Sequence, residues 1–232
     1  MLGPLKGLFR GSRGGQNGGA TPAEGSKPPP HPRGSGSVQV LSTRPSRGLE
    51  EFFTQIRDTT GLTILDLGGA TQKNITFITD LGHRLYSEDF LAILGETFGV
   101  DDTVDQSNPG WIEFFLKETL DYEAGQFDGV LVWDVLEHLN PALLNAVVER
   151  LHKIVRPKGY MLAFFHSDDG LDAAPFYAFR IHQMNTLEIV QQGMRRPVQL
   201  YNNRSLEKLF GKFESVKFFL ARDRLREVIV KV

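Results

Sequence analysis

The chain has 232 residues, 41% of them apolar, a formal net charge of −2 and no cysteine. That length suits one domain, or a domain with a tail. The charge argues against a dedicated nucleic-acid binder, and the lack of cysteine excludes disulfides, thiolate metal sites and a cysteine nucleophile. No segment approaches the roughly 18 consecutive apolar residues that a membrane span needs, and "MLGPLKGLFRGSRGG" lacks the apolar core of a secretory signal. The expectation is a soluble, cytoplasmic protein with no membrane partner.

Residues 1–47 are dominated by Gly, Pro, Ser and Arg, with Glu24 as their sole acid. A segment of that kind buries too little apolar surface to offset its ordering entropy and is expected to be disordered. The folded unit is then residues 48–232, long enough to bury roughly 70% of its unfolded surface. Leu49, Phe52, Phe53 and Ile56 recur at helical spacing, with Ser46 placed to cap and Glu50 and Glu51 in the first turn. "LTILDL" is a short apolar run ended by glycines, as a strand buried on both faces should be. "NITFITDLG" is helical with Gly82 as its stop, "HRLYSED" a second strand, and "FLAILGETFG" a helix, which completes a βαβ unit. The apolar cluster from Trp111 to Leu116 fits a helix and a short strand equally well.

Beyond it, "FDGVLVWDVL" is a buried strand, "NPALLNAVVERLHKIV" an amphipathic helix, "RPKG" a turn and "YMLAFFH" another buried strand. "PFYAFRIHQMNTLEIVQQ" is expected to form two strands joined through Met184-Asn185, so residues 170–200 form an inserted hairpin able to lid a cleft. A capped helix follows in "NNRSLEKLFGKF", and the chain ends in two alternating strands turning at 221–224. The fold class is α/β: a Rossmann-like, doubly wound, mostly parallel sheet with a C-terminal antiparallel strand pair and helices on both faces.

In such a sheet, ligands bind at the carboxyl ends of the strands. Four ends carry polar residues: Asp66 with Gly68 and Gly69; Glu88 with Asp89; Asp134 with Glu137 and His138; and His166 with Ser167, Asp168 and Asp169. A glycine-bearing loop followed about 20 residues later by an acid is where a nucleoside-bearing cofactor is gripped, the acid taking the ribose hydroxyls. The dinucleotide pattern would need glycines where Ala70 and Lys73 stand, and the phosphate loop G-x-x-x-x-G-K-[ST] is absent. An adenosyl amino acid has no phosphate and asks less of the loop.

With "ILDLGGAT" and "GHRLYSED", then "FDGVLVWDVLEHL", then "LHKIVRPKGYMLAFF", the sequence resembles the class I S-adenosylmethionine-dependent methyltransferases, and within them the small-molecule "type 11" group. The resemblance implies S-adenosyl-L-methionine as cofactor and a small molecule as acceptor. It places Asp66, Gly68, Gly69, Ala70 and Thr71 on the loop that wraps the methionine part. Asp89 falls on the ribose acid, with Glu88 one place away, and Trp133 and Asp134 border the adenine and the reactive methyl. Ala70 and Gln72 stand where the family loop has glycines, and neither Asp121 nor Glu123 is well placed as the acid that meets the adenine amine.

His138 and His166 are the candidate bases near neutral pH, and Arg195 and Arg196, with Arg204 nearby, are candidates for an anionic substrate. The His166 cluster matches no metal-ligand spacing, so no metal is expected. Two rival readings stay open at this point. One is a non-catalytic methyltransferase-like binding protein with a degenerate cofactor loop, and the other is a nicotinamide-dependent oxidoreductase.

Overall fold

The computed structural model describes residues 40–99, 104–166, 174–195, 199–220 and 225–232. A six-stranded sheet has the order β3-β2-β4-β5-β9-β8. Its strands are β2 (Thr63–Asp66), β3 (Arg84–Ser87), β4 (Phe127–Trp133), β5 (Val155–His166), β8 (Ser215–Leu220) and β9 (Leu225–Lys231). β3, β2, β4 and β5 run parallel, and β9 and β8 close the sheet antiparallel. This is the expected α/β class, with the strand pair at the end of the chain where the alternating pattern put it.

The period-2 rule explains how one sheet serves two cores. Leu65, Val130, Val132, Met161, Ala163 and Phe165 point to one face, where α3 (Phe90–Phe98), α4 (Pro109–Leu120), α5 (Pro141–Ile154) and α6 (Asn203–Leu209) pack. Ile64, Leu131, Trp133, Leu162 and Phe164 point to the other, where α1 (Arg47–Ile56) and α2 (Gln72–Asp80) lie. All seven residues of β4 are buried. Burying each large apolar side chain contributes about 1.5–3 kcal/mol relative to exposure, so β4 is the spine on which the other strands are ordered. The segment from Trp111 to Leu116 is a helix, because Phe115 and Leu116 pack inward one turn from Thr119 and Leu120. Asn108 caps it ahead of a proline at the first turn. The "RPKG" turn is a break inside β5: pairing with β4 jumps from Phe127–Val155 to Gly129–Tyr160, and Lys158 has φ 69°. Among the described residues, no helix is long and apolar enough to cross a membrane.

The second face also carries a small antiparallel sheet of order β1-β7-β6, made of β1 (Val40–Pro45), β6 (Ala174–Gln183) and β7 (Thr186–Arg195). β6 and β7 are the hairpin expected within 170–200, with Met184 and Asn185 at its turn. β1 corrects the expectation of disorder up to residue 47. Its residues gain order from β7, a partner some 140 positions away along the chain (Thr43 opposite Glu188), which local composition does not reveal. Phe179, Ile181, Leu187 and Ile189 of the hairpin pack on the main sheet together with α1.

A buried ion pair fixes β1 in place. The Arg44 guanidinium bonds to Glu227 Oε1 of β9, and both side chains are almost wholly buried. Ser46 Oγ (3.0 Å) and the Gly48 amide (2.5 Å) donate to the other oxygen. The same guanidinium lies 5.9 Å from the Phe164 ring centroid, a cation–π distance. Removing the cation alone strands a buried carboxylate. Arg44→Met is therefore expected to lower unfolding stability by about 3–5 kcal/mol, and the double variant Arg44→Met/Glu227→Met to recover part of that loss. Urea denaturation of the three proteins checks this; equal losses for the single and double variants would show that the pair is not coupled.

Candidate active site

The glycine loop is organised from below by Asp66. The carboxyl is fully buried at the end of β2, and both of its oxygens are used within the protein. Oδ1 accepts the Gly68 amide (2.9 Å) and the Trp133 indole N–H (2.6 Å); Oδ2 accepts the Asn74 side-chain amide (3.0 Å). Burial raises the Asp66 pKa, and the donors from Trp133, Gly68 and Asn74 pull it back in part. Asp66 thus shapes the loop from inside. The exposed surface of the loop is supplied by Gly68 and Ala70, flanked by the partly exposed Gly69 and Thr71.

Each glycine of "DLGGAT" has its own reason. A Cβ on Gly68 would sit 2.6 Å from Trp133 Cδ1, so the indole occupies the space of a side chain. Gly69 has φ 80°, a left-handed backbone that other residues adopt only at a cost. Ala70 is exposed, and Gln72 is the first residue of α2, where an ordinary helical backbone makes no demand for glycine. Thr71 caps α2 through the Asn74 amide at 3.2 Å.

The loop is zipped to the end of the next strand. The Gly69 amide donates to the Glu88 carbonyl (3.0 Å), and the Glu88 amide donates to the Asp66 carbonyl (2.8 Å). Asp89 is exposed, and its Oδ1 caps α3 by accepting the Ala92 amide at 3.2 Å. A Cβ on Gly69 would lie 3.4 Å from both the carboxyl carbon and Oδ2 of Asp89, so this acid borders the loop directly. Glu88 is engaged elsewhere, accepting the Tyr122 hydroxyl on Oε1. That tyrosine is pushed to a higher pKa by burial first and by Glu88 second. Asp121 and Glu123, on either side of Tyr122, are exposed. Among the described residues no strand pairs with the outer edge of β3, since α4 leads into the Tyr122 turn.

β4 ends in a kink. Trp133 has φ 58°, an outlying conformation for a large side chain. The indole is held there by its bond to Asp66 and by stacking on Phe179 of β6, with centroids 5.1 Å apart and planes 8° from parallel. Phe164 closes the third side at 5.7 Å. Asp134 follows, then a 3-10 turn (Val135–His138) whose four residues are all buried. Asp134 Oδ2 accepts the Tyr177 amide of β6 at 3.3 Å. Its pKa is pushed up to about 7, by burial first and the Glu137 charge second, with His166 opposing.

Two residues far apart in sequence meet here. At the end of β5, the His166 amide donates to Glu137 Oε2 (2.9 Å), and His166 Nδ1 bonds to Oε1 of the same carboxyl. The Tyr177 ring lies nearly parallel to the imidazole, 6.1 Å away. His138 is buried on the same 3-10 turn. The structure therefore sets Trp133, Asp134 and His166 against residues of β6, and brings Gly68, Gly69 and Asp89 together at the glycine loop beside the indole edge. Ser167, Asp168, Asp169 and Arg196 lie outside the described residues. Arg195 ends β7 opposite Ala174, with only its backbone described, and Arg204 is exposed in the first turn of α6. The organising roles of two residues were not read from sequence. One is Glu137 as the partner of His166. The other is Asn74, in the first turn of α2, whose contacts with Asp66 and β6 leave no local signal in the sequence.

A profile of the family described as "Methyltransferase domain" matches residues 40–214. No curated protein matches the chain in sequence. Among solved structures, the chain is similar to 1,6-didemethyltoxoflavin-N1-methyltransferase of Burkholderia thailandensis, with 16% identity and a TM-score of 0.44 over 79% of this chain and 76% of that one. It is also similar to a SAM-dependent methyltransferase of Archaeoglobus fulgidus, with 14% identity and a TM-score of 0.47 over 79% and 91%. PH0226 of Pyrococcus horikoshii OT3 gives 13% and 0.47 over 79% and 87%. With a profile match that spans most of the chain, starting at β1 and ending just before β8, the chain belongs to the methyltransferase-domain family.

Proposed function

We propose that the protein transfers a methyl group from S-adenosyl-L-methionine to a small-molecule acceptor. The observation that carries this reading is the Asp89 carboxyl set against Gly69, beside the exposed backbone of Gly68 and Ala70. The residues present fit the cofactor. Gly68, Gly69, Ala70 and Thr71 offer a side-chain-poor surface for its methionine part. Asp89 retains Oδ2 for ribose hydroxyls after capping α3 with Oδ1, and Glu88 supports that end through Tyr122. Trp133 backs the loop, and Asp134 borders the acceptor side. When bound, the cofactor supplies a methyl group already activated on a sulfonium, so the chain's own task is mainly alignment.

A small acceptor is favoured because β6 roofs the end of β4. Phe179 covers Trp133, and the Tyr177 backbone reaches Asp134, so the hairpin acts as the lid. Arg195, at the end of β7, and Arg196 are proposed to meet an anionic part of the acceptor. His138 and His166 are proposed as candidate bases, the His166 ring being held by the Glu137 carboxyl. A cytoplasmic location is proposed from the absence of cysteine.

Calorimetric titration with S-adenosyl-L-methionine tests the reading, which fails if no heat of binding appears at millimolar cofactor. Asp89→Ala is expected to weaken binding by about tenfold or more, the loss of a charge-assisted hydrogen bond. Glu88→Gln should cost less, since Tyr122 already holds that side chain. The reverse ranking would move the ribose contact to Glu88.

Asp134 also ties stability to pH. Its folded pKa, near 7, stands above the ordinary carboxyl value of 3.8. Its contribution is therefore fully present below about pH 4 and is lost as pH rises through 7. Asp134→Asn keeps an uncharged acceptor for the Tyr177 amide. The stability of this variant relative to wild type should climb between about pH 4 and pH 7 and level off above. Thermal denaturation across that range checks it; a difference independent of pH would mean Asp134 is ionised throughout.

A further inference from the structure

Every polar group of the Asn74 side chain is committed. Its nitrogen donates to Asp66 Oδ2 (3.0 Å) and to the Phe179 carbonyl (3.0 Å), and Oδ1 accepts the Ile181 amide (2.8 Å). The orientation follows from the partners. The Ile181 N–H can only donate and the Phe179 carbonyl can only accept, so a flipped amide would face both with the wrong group. The carbonyl of one residue and the amide two positions on are the pair that a neighbouring strand would engage, and β6 ends the order β1-β7-β6. Asn74 is 1% exposed, and a buried polar group left without its partner is costly.

The same residue is tied to both ends of the glycine loop. Asp66, which holds its side chain, precedes the loop and accepts the Gly68 amide. Thr71, which closes the loop, accepts the Asn74 backbone amide at 3.2 Å. A ligand that fixes Gly68 to Thr71 therefore fixes Asn74, and through it the register of β6. The other contacts between these parts are weaker guides. Lys73 Nζ meets both carboxyl oxygens of Glu188 on β7 (2.5 and 2.6 Å), with His182 Nδ1 at 3.4 Å. The Lys73 side chain is 48% exposed, however, and ion pairs of that kind contribute little. Trp133 stacks on Phe179 with planes 8° apart, a contact that lets one ring slide over the other.

We propose that Asn74 is a positioning residue that transmits occupancy of the glycine loop to the β6–β7 hairpin, so that the acceptor side of the site is completed when the cofactor is bound. The inference rests on the methyltransferase reading above and takes the hairpin as its lid. Two states of the hairpin differ in the bonds from Asn74 to β6. When it is seated both are made, and when it is lifted the Phe179 carbonyl and the Ile181 amide are released. The cofactor favours the seated state because an ordered loop holds Asn74 where both bonds form. Coupling of this kind is reciprocal, so an acceptor that holds the hairpin down tightens the cofactor by the same factor.

The test uses the full chain, with amide hydrogen exchange read by NMR and cofactor affinity by calorimetry. Saturating S-adenosyl-L-methionine is expected to slow exchange of the Ile181 amide in the wild type by about tenfold, a coupling of ordinary size. The amides of Arg180 and Glu188, residues paired across the hairpin, should slow with it. In Asn74→Leu the cofactor is expected to bind within about tenfold of wild type, while β6 and β7 exchange equally fast with and without it. A role in stability alone would speed exchange in the variant yet leave the cofactor's effect in place. Lys73→Ala, which removes the surface tie, should keep the full response. Asn74→Ser, too short to reach Asp66 and β6 together, gives the same reading should Asn74→Leu not fold. A wild-type hairpin unmoved by bound cofactor, a response that survives in an Asn74 variant, or one abolished by Lys73→Ala would each overturn the proposal. Absent cofactor binding defeats the function proposed above, whereas bound cofactor with an unmoved hairpin defeats this inference alone.

Discussion

The carboxyl of Asp66 is the point on which the site depends. It is fully buried, and it receives the Gly68 amide, the Trp133 indole and the Asn74 side chain on two oxygens. Each donor belongs to a different element: the glycine loop, the end of β4 and the first turn of α2. A buried carboxylate is costly unless its lone pairs are satisfied, and here the satisfying groups are the ones that must be held in register. The energy that retains Asp66 in the core is thereby spent on geometry. Trp133 keeps its unfavourable backbone at φ 58° because the indole bonds to Asp66 on one side and stacks on Phe179 on the other.

Asn74 carries that organisation outward to the inserted sheet. Its amide nitrogen donates to Asp66 and to the Phe179 carbonyl (3.0 Å), while its side-chain oxygen accepts the Ile181 amide (2.8 Å). β6 is an edge strand, with backbone groups that would otherwise be left unpaired. The asparagine side chain serves as a fragment of a neighbouring strand. The glycine loop and the roof over β4 are thus coupled through one residue, and the opposite edge of the small sheet is anchored by Arg44 on Glu227. The roof is tied at both sides and takes its position from the main sheet.

Local signals made most of the fold legible. The caps at Ser46, Thr71, Asp89, Asn140 and Asn202 each accept an amide from the first turn of a helix, and short side chains of this kind are readable one residue at a time. The apolar runs of β4 and β5 were equally plain. What escaped was non-local. β1 is six residues inside a Gly- and Pro-rich segment, and it is ordered only by β7. Glu137 and His166 are 29 positions apart and meet because β4 and β5 are neighbours, a fact of topology. At positions 88 and 89 the sequence placed two acids side by side at the end of a strand. The structure gives Asp89 the cap while keeping it against the loop, and gives Glu88 the tyrosine.

The missing glycines of the loop have a physical explanation. Glycine is required where a neighbouring side chain fills the Cβ position or where φ is positive, and those conditions hold at Gly68 and Gly69. At position 70 the side chain points into open surroundings, and at 72 the helix has already begun. A methyl group at Ala70 therefore costs the backbone nothing. The loop keeps glycine where Trp133 and the chain reversal demand it, and it departs from the family pattern at positions where neither condition applies.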